Sequence, residues 1–259
     1  MATPRTTSRR VPILGVVLIA VAVLGGAGLW YVFFRPSGPP PVSLGSMPAA
    51  TTAPAGSAAA GSGASAGTGA SSGGTLEGVW TTDPAASSTS GPATFVGYRV
   101  REELANIGAT TAVGRTSDVT GTLTIEGTTV TEGEITADLT TLQSDNGNRD
   151  RQLSRQALET ATYPQATFTL TAPIDLGAEP VEGQLVEVTA TGDLTLHGVT
   201  KSVQIPLQAR REGDTIAVAG SLPIAFADFG IEKPQAMMVL SVEDRGTLEL
   251  LIHLTRSTG

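Results

Sequence analysis

From Leu76 onward the apolar residues recur at every second position, and that period restricts the chain to β-strands with one dry and one wet face. The last run is the clearest. Leu248, Leu250, Ile252 and Leu254 share a face, Glu249, His253 and Thr255 lie opposite, and Leu251 is the one exception. Val186, Val188, Ala190, Gly192, Leu194 and Leu196 form a second such face against Glu187, Thr189, Thr191, Asp193 and Thr195. Val199, Lys201, Val203, Ile205, Leu207 and Ala209 form a third, and Ile216, Val218, Gly220, Leu222 and Ile224 a fourth. Shorter runs at Val96-Tyr98-Val100, Leu123-Ile125, Ile135-Ala137-Leu139 and Phe168-Leu170-Ala172 bring the expected total to about eight strands or more. Turn signals separate them at Glu126-Gly127, Glu132-Gly133, His197-Gly198 and Glu212-Gly213-Asp214, and His197-Gly198 predicts a tight hairpin.

One segment breaks the period. Ser144-Asp145-Asn146 is a good N-cap cluster, and Leu153, Ala157 and Leu158 then fall at helical spacing between Arg149 and Glu159, before Tyr163-Pro164 stops the run. This predicts one short helix inserted between strands, placed as a lid would be. Antiparallel strands of this number close as a sandwich or as a barrel. Ala137, Ala172, Ala190, Gly192, Ala209 and Gly220 stand on the apolar faces where a solid core would carry Leu, Ile or Phe, which favours a barrel with room inside. The positions expected to line it are Val96, Tyr98, Val100, Ala137, Phe168, Leu170, Val188, Ala190, Leu194, Ile205, Val218, Gly220, Leu250 and Ile252. Arg149, Arg151 and Arg155 form the densest positive cluster of an acidic domain. They read as a solvated helix face or as a clamp for a ligand headgroup at the barrel mouth.

The first third of the 259-residue chain is organised differently. Residues 1–12 are a short basic leader, expected to be cytoplasmic. Residues 13–34 carry no charged side chain and, at 1.5 Å per residue, reach about 33 Å as a helix, enough to cross a bilayer core. Three Arg precede this span and one follows, which predicts the N-terminus inside and the C-terminal domain extracytoplasmic. Ala20-Val21-Ala22 offers a signal-peptidase-like site, but the twelve mostly apolar residues after it favour an uncleaved single-pass anchor in the cell membrane. Residues 35–75, rich in Pro, Gly, Ala and Ser, read as a disordered linker, leaving 76–257 as the folded domain.

Charge and composition exclude several functions. The part from Glu77 on carries 12 Lys and Arg against 24 Asp and Glu, a net of 12 − 24 = −12, so nucleic acid is not an expected partner. There is no cysteine, which removes disulfides, thiolate metal sites and Cys nucleophiles. His197 and His253 are 56 residues apart, one in a turn and one on a polar face. Both read as surface histidines, with no metal or cofactor expected. Asp228-Phe229-Gly230 spells a kinase magnesium motif, but without the other kinase motifs it is a chance match.

The ordered strings then resemble those of the YceI-like family. They are FVGYRVR from Phe95, VGRT from Val113, VTGTLTI from Val119, ADLTTLQSD from Ala137, Arg149-Asp150, YPQATF from Tyr163, GDLTLHGVTK from Gly192, IAFADFGI from Ile224 and VEDRGTLEL from Val242. The resemblance runs from about Leu76 to Arg256. It implies an all-β, lipocalin-like antiparallel barrel whose interior holds a long isoprenoid chain, a quinone or polyprenyl compound, without catalysis. Many members carry a V-R-H string in the first strand, where this chain reads Val100-Arg101-Glu102, so the headgroup is left open. Two rival functions stand beside this reading. One is a surface scaffold with a filled barrel and an acidic face for a protein partner of unknown identity; the other is a hydrolase built on a carboxylate pair.

Overall fold

The computed structural model describes residues 39–46, 75–83, 93–105, 108–233 and 239–257. The expected span at 13–34 and most of the expected linker lie outside the described residues. Among the described residues no helix is long and apolar enough to cross a membrane.

The strands are β1 Gly78–Thr82, β2 Phe95–Leu104, β3 Gly108–Thr116, β4 Val119–Glu126, β5 Thr129–Asp138, β6 Gln143–Ser144, β7 Gln165–Leu170, β8 Ile174–Asp175, β9 Leu185–Leu196, β10 Val199–Glu212, β11 Thr215–Ala225, β12 Val239–Val242 and β13 Arg245–Arg256. Eight of them close into an antiparallel ring in the order β1-β4-β5-β7-β9-β10-β11-β13, and β13 returns to β1. The closure is an end-to-end match of Trp80 with Arg256 and of Thr82 with Leu254. The other end of β13 pairs Thr247–Leu251 with β2, and β2, β3 and β6 continue outward from there as a flap. Fold class and barrel closure therefore agree with the alternation, and the sandwich alternative falls. The hairpin at His197-Gly198 is as expected: both residues have positive φ (52° and 72°), the primed turn that matches strand twist.

The inserted helix is shorter than its sequence pattern. Helix α1 covers Gly147–Gln152 and continues as a π-type turn over Leu153–Ala157. Asn146 caps it, its side-chain oxygen accepting from the Asn148 and Arg149 N–H groups at 2.9 and 3.3 Å. The π turn, closed by Leu158 N–H to the Leu153 carbonyl at 2.8 Å, brings Leu153 and Leu158 down onto the apolar cluster of Leu139, Leu194, Leu196, Ile224 and Phe229. A second cluster, around Trp80, Val119, Ile125, Ile252 and Leu254, lies in the part of the ring that β1 closes. Trp80 is fully buried there, and its indole N–H donates to the Leu76 carbonyl at 2.9 Å.

Two expectations are corrected. Ala172 lies beyond the end of β7 and is exposed, so it is not an inward-facing residue. Residues 39–46, inside the stretch read as linker, belong to the same compact unit as the barrel. Leu44 is fully buried on the outer face against Phe95, Ala217, Ala219 and Leu251. Its N–H and the Ser43 hydroxyl both donate to the Gln208 side-chain oxygen at 3.1 Å. Arg99 donates to the Pro39 carbonyl at 2.7 Å. Small Ala217 and Ala219 leave the depression, and Leu251, the exception to the alternation, forms its floor. Leu44→Ala should lower stability by about 2 kcal/mol, measured as a shift in urea midpoint at unchanged slope. No shift would mean that the strap contributes nothing to the fold.

Candidate functional site

The ring encloses a cavity of about 910 Å³. Protein interiors hold few voids larger than a water molecule, and pockets built for drug-sized ligands end at roughly 1,000 Å³. This is a chamber of ligand size and not a packing fault. Its wall is almost entirely aliphatic. Val96, Tyr98 and Val100 of β2, Ala137 of β5, Phe168 and Leu170 of β7, Val188, Ala190 and Leu194 of β9, Ile205 of β10, Val218 of β11, and Leu250 and Ile252 of β13 all line it, as the alternation places them.

Gly220 does not. A Cβ built at Gly220 would stand 2.5 Å from Leu207 Cδ2, so the Leu207 side chain lies across the glycine and is itself the wall. Gly192 is covered in the same way by the Phe168 ring, at 2.5 Å. These glycines make room for a neighbour's side chain rather than for a ligand.

The wall has a buried polar region where β2 meets α1, and Arg210 and Arg211 of β10 also line it. Glu102 follows Tyr98 and Val100 on the inward face of β2 and is buried, with 8 % exposure. The Arg149 guanidinium donates to its carboxylate at 2.6 Å and to Asp145 at 2.5 Å. Burial alone would push Arg149 down, but the hydrogen bonds and charges of Glu102 and Asp145 outweigh it and hold the pKa above its ordinary value. Asp150 accepts from the Ser144 hydroxyl at 2.6 Å and from its N–H at 3.0 Å, which fixes β6 to α1. Tyr98 lies across Gly114 of β3, where a Cβ would meet its ring at 2.4 Å. The Tyr98 hydroxyl is fully covered and completes no well-aligned hydrogen bond, although Ser144 lies close enough to favour the phenolate slightly.

The expected headgroup cluster therefore divides. Arg149 is tied into the wall, whereas Arg151 and Arg155 also line the cavity but are exposed on the helix. Glu102 was missed as a site residue, although the parity of Val96, Tyr98 and Val100 placed an acid on the apolar face. The histidines are corrected. His253 is fully buried on the face away from the cavity, its backbone N–H donating to Thr94 Oγ1 at 3.0 Å, and burial pushes its pKa down. His197 is 13 % exposed, with its ring against the Tyr163 edge and Nδ1 3.1 Å from the Phe229 carbonyl oxygen.

Residues 80–254 match the YceI-like domain. The chain belongs to the YceI-like family. It is 33% identical over 123 residues to Protein YceI of Escherichia coli O157:H7, an alignment covering 46% of this chain and 58% of that protein, so less than two thirds of that relative's length is spanned. It is 30% identical over 142 residues to a UPF0312 protein of Shewanella denitrificans, covering 51% of this chain and 71% of that one. Its fold resembles that of a polyisoprenoid binding domain from Saccharophagus degradans with a TM-score of 0.54 at 19% identity, over 70% of this chain and 99% of that one.

Tyr98 gives the YceI-like barrel an alkaline limit. Burial raises the phenol from 10.0 to about 12, so as pH rises the unfolded chain releases this proton before the folded one does. The contribution is intact below about pH 10 and is lost between about pH 10 and 12. Tyr98→Phe should remove roughly 2 kcal/mol of that loss, read by urea unfolding at about pH 9 and pH 12. At pH 9 it should change stability by less than about 1 kcal/mol, because no well-formed hydrogen bond is broken. An unchanged alkaline limb would mean that the hydroxyl ionises freely in the folded protein.

Proposed function

We propose that this protein is a binding protein, without catalysis, that holds one long isoprenoid lipid, a quinone or polyprenyl compound, in its barrel outside the cytoplasm. The observation that carries the reading is the 910 Å³ aliphatic chamber inside a closed, hydrogen-bonded ring. A mostly apolar cavity of this kind takes apolar guests, because water finds few partners on its wall. Mostly apolar side chains from strands all round the ring, with a buried polar region where β2 meets α1, fit an apolar chain that carries a headgroup. Membership of the YceI-like family and the fold likeness to a polyisoprenoid binding domain support the same ligand class.

Ala190→Phe tests it. Ala190 is buried on the cavity wall, opposite Ile205 of β10. With a lipid in the chamber, the new ring takes ligand volume, and lipid per protein in an organic extract falls, as read by mass spectrometry, while the delipidated protein keeps its melting temperature. Thr191→Phe, on the other face of β9, should leave lipid content unchanged. In a filled barrel the new ring of Ala190→Phe would overpack the core at a cost of about 1–3 kcal/mol and no isoprenoid would be extracted, an outcome that refutes the proposal.

Residues 13–34 are the proposed single-pass anchor, and the Arg asymmetry around them is the support for an extracytoplasmic domain. Protease added to intact spheroplasts should then release the folded domain. Release only after the membrane is permeabilised would reverse the orientation.

A further inference from the structure

Resting on the lipid-binding reading, we infer that Glu102 is a specificity determinant: by neutralising Arg149 it sets the cavity to take isoprenoids with an uncharged, hydrogen-bonding oxygen headgroup and to reject anionic ones. An arginine on an apolar wall is by itself an anion site, since its fork of donors matches phosphate or carboxylate. Here that fork is occupied. Arg149 donates to Glu102 on one side and to Asp145 on the other, at 2.6 and 2.5 Å. Arg149 is thereby a cation set against the buried carboxylate of Glu102, while Asp145 on its other side is 80% exposed.

The same holds elsewhere on the wall. Arg210 is 13 % exposed and pairs with Glu212 at 2.9 Å, and Arg211 is 9 % exposed and lies 3.9 Å from Glu179. The buried guanidiniums described on this wall thus each face a carboxylate, while Arg151, Arg155 and Lys233 lie exposed, where water and salt screen them. A diphosphate entering the polar region would meet Glu102, a carboxylate it cannot displace without leaving that charge buried and unpaired. A carbonyl or hydroxyl headgroup meets no such repulsion. Glu102, which lines the cavity, is an acceptor for a hydroxyl hydrogen, and the Arg149 guanidinium on the same wall, with its five N–H groups, is a donor for a headgroup oxygen.

Three probes and one variant test the inference on the full-length, delipidated protein in detergent: geranylgeraniol, geranylgeranyl diphosphate and squalene, an isoprenoid with no headgroup. The wild type should bind geranylgeraniol at least tenfold more tightly than the diphosphate and more tightly than squalene. Glu102→Gln, which keeps the shape but frees Arg149, should raise affinity for the diphosphate at least tenfold and close that gap. If the wild type binds both headgroups equally, or prefers the diphosphate, the specificity role is wrong and lipid binding stands. If squalene matches geranylgeraniol, the polar region recognises nothing and the inference fails. If none of the three binds, the lipid-binding proposal itself fails. The wild-type comparison decides the matter even if Glu102→Gln does not fold.

Discussion

β13 is paired along one edge by β11 and along the other by two different strands, and the chamber follows from that division. Residues Leu254 to Arg256 close the ring onto the short strand β1, whereas Thr247 to Leu251 carry β2, which brings β3 and β6 with it. An eight-stranded barrel has an interior just wide enough to be filled by side chains or to hold one small ligand. Had β13 paired with β1 along its whole length, the ring would be of that narrow kind. Splitting the edge lets the wall flare on the β2 side, and α1 with its π turn stands in the opened corner. The two ends of the ring accordingly differ: the end closed by β1 is apolar and buries Trp80, and the flared side carries the polar region of Glu102, Arg149 and Tyr98.

The space survives because the wall is already saturated. Every ring strand is held by backbone hydrogen bonds to both neighbours, so the strands cannot slide inward to fill the void without breaking ladders. Large side chains lie flat along the wall where a glycine beside them permits it: Phe168 over Gly192, Leu207 over Gly220, Tyr98 over Gly114. A Cβ at any of these positions would lift the neighbouring side chain off the wall and into the chamber. The glycines thus widen the cavity at one remove, by letting bulky residues lie down.

Strand existence and the inward faces of the ring strands were legible because period two is a direct readout of which face is dry, while the same period left barrel and sandwich open. What escaped has physical reasons. β1 is five residues long, and β3, reading GATTAVGRT, has too few apolar side chains to alternate, since it lies on the flap and not in the ring. Gly220 was placed on the correct face, but sequence parity carries no information about which neighbour leans over it. The outer face was the larger surprise. Leu251, Phe95, Ala217 and Ala219 look like irregularities on a wet face until Leu44, separated from them by tens of residues of polar chain, is seen to sit on them. His253 was misread for the same reason: it belongs to an outer face that is itself covered.

Two buried glutamates, one on each side of the same wall, show how differently a buried charge can be used. Glu249, on the outer face with 2 % exposure, is held by Arg99 at 2.8 Å and approached by Arg115 at 3.8 Å, and Arg99 also grips the Pro39 carbonyl. That network orders a segment of chain, so its desolvation is offset by a structural gain. Glu102, on the inner face, ties Arg149 of α1 to β2. A buried ion pair contributes little net stability against a well-packed apolar replacement, and here it faces a cavity in which apolar replacements would find abundant aliphatic neighbours. A pair at that position, on the lining of a mostly apolar chamber, is placed to act on what enters the chamber as well as to hold α1 to the barrel.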